Sequence, residues 1–139
     1  MSPCPLESLD ARSNKLGGVG AAALLRAAGL RELTLFDNPA IGADDGAARG
    51  LMEALAALPA SATLLSLDLG ACQLGIPALV ALCAALRAGA AGGLRCLELF
   101  GNGDESSRDA WKMALGELST ARPDLDVAWK EPAGDETPQ

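Results

Sequence analysis

Side chains able to do chemistry are few in this chain and widely spaced. Histidine is absent from all 139 residues, which excludes Ser-His-Asp and Cys-His nucleophile systems and metal sites that rely on imidazole. The four cysteines, Cys4, Cys72, Cys83 and Cys96, show no C-x-x-C spacing. Three of them sit inside apolar patterns, where a thiol behaves as a small hydrophobe. A thiolate metal site is not expected either, because Cys72 and Cys96 fall in different parts of the pattern described below. Gly17-Gly18-Val19-Gly20 is glycine-rich but lacks the Lys-Ser/Thr of a phosphate loop and the spacing of a dinucleotide fingerprint, so it reads as the turn into a helix. Asp44-Asp45 and Asp104-Glu105 suit the positive ends of helices; a calcium loop needs further ligands at alternate positions. No catalytic residue, cofactor or metal is expected, and the chain reads as non-enzymatic.

Charge narrows the partners. The formal net charge is -7, and Lys and Arg are scattered, so the basic footprint that neutralises nucleic-acid phosphates is missing. Nucleic acid and anionic membrane are therefore disfavoured. No uninterrupted apolar run reaches the roughly 18 residues of a membrane span, and Met-Ser-Pro-Cys-Pro has neither region of a signal peptide. A soluble chain in the reducing cytoplasm is expected, with two disulfides as the alternative.

The elements that position these residues come from a repeat. Leu6-Glu-Ser-Leu9-Asp-Ala11-Arg-Ser-Asn14-Lys-Leu16-Gly17 is followed by Leu30-Arg-Glu-Leu33-Thr-Leu35-Phe-Asp-Asn38, then Leu64-Leu-Ser-Leu67-Asp-Leu69-Gly-Ala-Cys72, then Leu94-Arg-Cys-Leu97-Glu-Leu99-Phe-Gly-Asn102. Arg122-Pro-Asp-Leu125-Asp-Val127-Ala-Trp129 reads as a degenerate fifth copy with Leu125 at the reference position. Each copy alternates inward aliphatic and outward residues, the pattern of a half-buried strand. Between copies the spacing changes to three and four, as in Leu51, Leu55, Leu58; Leu79, Leu82, Cys83, Leu86; and Trp111, Leu115, Leu118, which predicts helices with one buried stripe. Pro77 suits a first helical turn, Asp104 or Ser106 a cap, and Gly29 and Gly89 helix ends. Reference steps of 24, 34, 30 and 28 residues indicate an irregular stack, with slack loops expected around Pro59 to Thr63 and Ala88 to Gly93. Asn14, Asn38, Cys72 and Asn102 are expected to turn inward and satisfy backbone groups left unpaired where the chain leaves the sheet.

With L-x-x-L-x-L-x-x-N/C-x-L-G followed by a helix, residues 6 to 129 resemble the leucine-rich-repeat family, ribonuclease-inhibitor-like class. The resemblance implies a right-handed α/β solenoid with a parallel sheet on the concave side, helices on the convex side, and a partner protein held by the concave face. It implies no catalytic residue. One class of relatives, the activators of the Ran GTPase, acts on an enzyme in trans, so a GTPase regulator is an alternative, although no position here matches its functional residues.

On such a face the position after each reference residue gives a column of Asp10, Thr34, Asp68, Glu98 and Asp126. The neighbouring column is Arg12, Phe36, Gly70, Phe100 and Ala128, with Glu32 as a further residue of the same face. Like charges stacked on adjacent strands repel. A basic partner protein relieves that repulsion; a solvated strand face in an acidic chain gives the same column, and both origins stay open. Phe36 and Phe100 read equally as exposed anchors or as rings packed under a loop. Arg12, Arg31 and Arg95 are expected to neutralise part of the ladder, Trp111 to be core, and Trp129 to cover the end of the last repeat. Leu6 and Leu9, with residues 1–5 as a short lead, leave an apolar N-terminal end, so association there, as a structural subunit of a larger assembly, is a third reading. Residues 130–139 are expected to be a disordered acidic tail.

Overall fold

A strand that alternates aliphatic and polar residues buries one face only, and each short strand here needs a helix to cover it. The computed structural model describes residues 8–26, 30–43, 45–58, 63–103 and 105–129. Strands β1 (Ser8–Asp10), β2 (Glu32–Thr34), β3 (Ser66–Asp68), β4 (Cys96–Glu98) and β5 (Asp126–Ala128) pair in chain order into one parallel sheet. Successive strands are linked by α1 (Gly18–Leu25), by α2 (Ala40–Ala43) with α3 (Asp45–Ala56), by α4 (Ile76–Arg87), and by α5 (Arg108–Ala121), which a 3-10 turn at Glu105–Ser107 precedes. Helix α1 packs on α3, α3 on α4 and α4 on α5. Parallel strands stand about 4.8 Å apart whereas packed helices need 8–10 Å. A stack that repeats both must curve with its strands on the inner, concave radius and its helices outside, the right-handed α/β solenoid that the repeat predicts.

The core is a column of aliphatic layers. Leu33, Leu67 and Leu97 point inward from the strand centres, Leu35, Leu69 and Leu99 from the next inward position, and Leu51, Leu55, Leu79, Leu82, Leu86, Leu115 and Leu118 close each layer from the helices. Each such Leu, moved out of water, contributes about 1.5–3 kcal/mol. Trp111 is fully buried, as its spacing predicts. Pro77 occupies the first turn of α4, and Gly89, just beyond its end, takes a left-handed φ of 107°. At α5 the cap position is Ser107, one residue past the Ser106 expected there. Helix α3 ends at Ala56, so Leu58 lies beyond the helix whose stripe it was expected to extend.

Two expectations are corrected. Ala88 to Gly93 is not a slack loop: Ala90 and Ala91 are buried, and Arg122, from the far end of α5, donates from Nη1 to the carbonyls of Leu86 and Ala90 and from Nη2 to that of Ala91. A cation set on carbonyls at a helix C-terminus complements the helix dipole as well as the hydrogen bonds. The fifth strand is also shifted by two residues. Leu97 pairs with Val127, not Leu125, so the last step is 30 residues instead of 28. Trp129 then stands where Leu35, Leu69 and Leu99 stand in earlier copies, stacked on Trp111 with ring centroids 5.6 Å apart and planes 8° from parallel. Residues 1–7, 27–29, 44, 59–62, 104 and 130–139 lie outside the described residues, so the expectations for Leu6, Gly29, Asp44, Asp104, the loop at Pro59 and the tail fall there; Leu9 is half-buried against the core.

The strand exits at Asn38 and Asn102 are built as the spacing predicts, whereas Asn14, expected to turn inward with them, is exposed and its Nδ2 donates to the Arg12 carbonyl. Asn38 Oδ1 accepts from the backbone N–H groups of Asn14 and Leu16, and its Nδ2 donates to the carbonyls of Ala11 and Leu35. Asn102 repeats the arrangement, accepting from Cys72 and Leu74 and donating to Leu69 and Leu99. Cys72 has only a weak donor to offer and sends its thiol to the carbonyls of Leu35 and Gly70. In the segment that Cys72 faces, Pro39 fixes a φ that sends the chain straight into α2. There Ile41 donates to the Asn38 carbonyl and Gly42 to the Cys72 carbonyl. Gly42 is required at that contact, since a Cβ on it would overlap the Gln73 and Cys72 carbonyls. The residue before each Asn or Cys is left-handed in every copy (Ser13, Asp37, Ala71, Gly101), and the residue after it in all but the Pro39 copy (Lys15, Gln73, Gly103).

Three outcomes follow. Asn102→Ala strands two amides and two carbonyls in the interior and should lower the unfolding free energy by roughly 3 kcal/mol or more in urea titration; a loss under 1 kcal/mol would remove the amide from its structural role. Gln73→Gly relieves a left-handed φ of 57° at an exposed site and should raise stability by ~0.5–1 kcal/mol, whereas a fall would show that the Gln73 side chain is needed there. Burial, above all, pushes the thiols of Cys72 and Cys83 from the ordinary 9.0 up to about 11. Both hold their proton more tightly folded than unfolded, so their contribution is complete below pH 9 and is lost as pH rises toward 11, at about 1.4 kcal/mol per unit for each thiol. Unfolding of the reduced chain between pH 8 and 11 should show this slope and Cys72→Ala/Cys83→Ala should lack it; equal slopes would refute the assignment.

Candidate functional site

The concave face is read from the strand register. Ser8, Glu32, Ser66, Cys96 and Asp126 form one row, and Asp10, Thr34, Asp68, Glu98 and Ala128 the next. Beyond the strands the parallel ladder continues, with Ser13 N–H donating to the Phe36 carbonyl, Asp37 N–H to that of Gly70 and Ala71 N–H to that of Phe100. This aligns Arg12, Phe36, Gly70 and Phe100 in a third row. Of the nine residues expected on this face, Asp10, Thr34, Asp68 and Glu98 share a row and Arg12, Phe36 and Phe100 share another. Asp126 is corrected: it stands beside Cys96 in the Glu32 row, and Ala128 takes the place in the acidic row expected for it. The two-residue shift of β5 is the reason, and it leaves three carboxylates in the row rather than four.

Those three carboxylates are not equivalent. Asp10 is held by Arg12, whose Nε lies 3.0 Å from each carboxylate oxygen and whose Nη2 lies 2.9 Å from Oδ2. The side-chain hydrogen bond from Arg12 holds the Asp10 carboxyl below its usual range. Asp68 accepts the Gly70 N–H at 2.8 Å through Oδ1. Glu98 sits beside it and titrates above the usual range, first through partial burial, then through the negative charge of Asp68 and a hydrogen bond shared with it. Among the described residues no cation pairs with Asp68 or Glu98. Arg31 and Arg95, expected to neutralise the row, make no ion pair with it, and Arg95 lies near enough to Arg122 to depress that guanidinium, after burial, through like charge.

Phe36 and Phe100 retain 37% and 44% of their surface exposed, too much for core residues. Between them Gly70 contributes only backbone. A Cβ there would lie 2.8 Å from Cδ1 of Phe36, 3.0 Å from the Phe100 carbonyl oxygen and 3.1 Å from Asp68 Oδ1, so the Phe36 ring edge and the Asp68 carboxylate already reach over the glycine. The outer row holds what the sequence reading passed over: Cys96 is an exposed free thiol on this face, unlike the buried Cys72 and Cys83. The alternation that placed Asp68 and Glu98 also places Ser66 and Cys96, two residues earlier. Elsewhere, a cleft of about 530 Å³ at the start of α4 has walls of Gly, Ser, Pro, Gln and aliphatic residues and offers no titratable side chain. No three metal-ligating side chains gather among the described residues, and no helix among them is long and apolar enough to cross a membrane.

A family model described as Leucine Rich repeat matches residues 2–25. No curated protein matches the chain. The matched stretch contains β1 and α1, and its strand recurs four more times, in register, in one parallel sheet backed by helices; the fold is that of a leucine-rich-repeat solenoid.

Proposed function

We propose that the chain is a non-enzymatic interaction module of the ribonuclease-inhibitor-like class, holding a partner protein with a basic surface against its concave face. The observation that carries this reading is the pair of half-exposed rings, Phe36 and Phe100, beside a carboxylate row whose central members, Asp68 and Glu98, pair with no cation among the described residues. Rings at the edge of a charged patch supply contact area at low entropic cost, and opposite charge on the partner adds steering and register. Helices of 12 to 14 residues behind the later strands support the class. No constellation of acid, base and nucleophile gathers among the described residues to argue for an enzyme.

The test compares the wild-type chain with Phe36→Ala/Phe100→Ala as bait in cell extract at low and high salt, in a Cys4→Ser background so that Cys96 is the one accessible thiol among the described cysteines. Both rings stand outside the core, so the unfolding midpoint should stay within a few degrees. The partner should be lost from the variant at least tenfold, weaken in high salt, and protect Cys96 from alkylation. A partner retained equally by both baits, with Cys96 still open to alkylation, would move binding off this face.

A further inference from the structure

Polar side chains in this stack grip backward. Asn38, in the second copy, donates from Nδ2 to the Ala11 carbonyl of the first, and Asn102, in the fourth, to the Leu69 carbonyl of the third. Arg122, the C-cap residue of α5, likewise reaches back to the carbonyls of Leu86, Ala90 and Ala91 around the end of α4. The first copy carries both devices. Asn14 holds the Asn position between left-handed Ser13 and Lys15, the same backbone that flanks Asn102, and Arg26 is the C-cap residue of α1 as Arg122 is of α5. Yet Asn14 is exposed with its Nδ2 turned onto the Arg12 carbonyl, and the exposed Arg26 guanidinium meets no partner among the described residues. Both are shaped to hold a layer on the outer side of β1.

The opposite edge of the sheet offers such a layer. Among the described residues β1 and β5 are the edge strands. The strand centres Leu33, Leu67 and Leu97 are fully buried, whereas Leu9 and Val127 are only partly so. A groove of about 300 Å³ lies between α5 and β5, walled by Lys112, Leu115, Gly116, Ser119, Val127 and Trp129. No earlier copy contributes to its walls, which puts it on the outer side of the last layer. Continuing the ladder from β5 to the β1 of a second molecule, in the register of the sheet, sets Asp126 beside Ser8, Val127 beside Leu9 and Ala128 beside Asp10. No carboxylate then faces another, and the Trp129 carbonyl takes the place that those of Ala11 and Leu69 hold for Asn38 and Asn102. Charge agrees: residues 8–26 carry three basic side chains and one acidic, while residues 123–129 carry Asp124 and Asp126 and no base.

We infer that copies of this chain join head to tail, the first repeat of one stacking on the last repeat of another, with Asn14 donating to the Trp129 carbonyl and Arg26 set over the C-terminal end of α5. The contact uses the sheet edges and goes beyond the concave-face reading. It is heterologous, so each added molecule leaves one edge open and association proceeds past the dimer.

Sedimentation velocity of the full chain, from micromolar to millimolar concentration, should show an average mass that climbs past that of a dimer. Two variants block one edge each. Arg26→Glu reverses the grip at an exposed helix end, and Gly116→Arg fills the groove at an exposed site where a Cβ meets open space, so both should keep the wild-type unfolding midpoint. Each alone should need at least about tenfold more protein to associate. An equimolar mixture of the two should form a one-to-one pair, because each retains the edge that the other has lost. A chain that keeps the mass of one molecule throughout, a dimer that Gly116→Arg still forms, or two blocked variants that do not pair when mixed would overturn the head-to-tail contact.

Discussion

The structure depends on how the backbone is satisfied where it turns out of the sheet. A strand of three residues leaves its inward Leu side chains and at once exposes amides and carbonyls to an interior without water, and an unmet group there costs on the order of 1–3 kcal/mol. Two carboxamides, those of Asn38 and Asn102, each meet four such groups together and tie their copies to the ones before them. Left-handed backbone precedes Asn38, Cys72 and Asn102, whose side chains turn inward. Because these turns keep the strands in register, the rows of the concave face follow from them.

That dependence explains which side chains meet on the face. Asp68 and Glu98 become neighbours through the Leu67 and Leu97 pairing, and Phe36 and Phe100 flank Gly70 because the ladder runs past the strand ends in the same register. Glycine at 70 is a packing requirement as well, since the Phe36 ring edge takes the space of a side chain there. The helices contribute through thickness: being wider than strands, they bend the sheet inward and bring the rows toward a common centre.

Much of this was legible from spacing alone. Leucines at fixed intervals and an Asn or Cys after each strand predicted the strand-helix alternation and the inward amides of Asn38 and Asn102, because each depends on residues close in sequence, and the resemblance those motifs carry implied the parallel sheet. What was misread depends on partners far away or on competing local patterns. Leu125 looks like a reference Leu because Val127 follows it by two, yet Trp129 stacked on Trp111 sets the register of β5 and moves Asp126 out of the acidic row. Ala88 to Gly93 looks slack because its composition is Ala and Gly; Arg122, some thirty residues later, orders it. The signal for β5 was present in retrospect: an aromatic residue at 129 falls on the inward spacing of Leu99, while Leu125 does not. Cys96 was passed over because it reads as an apolar residue in a strand, although its position alternates with the inward leucines.

Cys72 in the Asn series leaves the tethers unevenly spread. The first and second copies are joined through Asn38, and the third and fourth through Asn102, each by a side chain making four backbone bonds. Between the second and third, a thiol hydrogen bond to Leu35 and the Gly42 contact stand in place of an amide. In a nearest-neighbour stack the free energy of opening is set junction by junction. The first four copies are therefore two strongly tied pairs meeting at a softer seam, where the curvature between them has freedom to adjust. The seam falls between Phe36 and Gly70, so the rings flank the joint at which the two tied pairs can flex relative to each other.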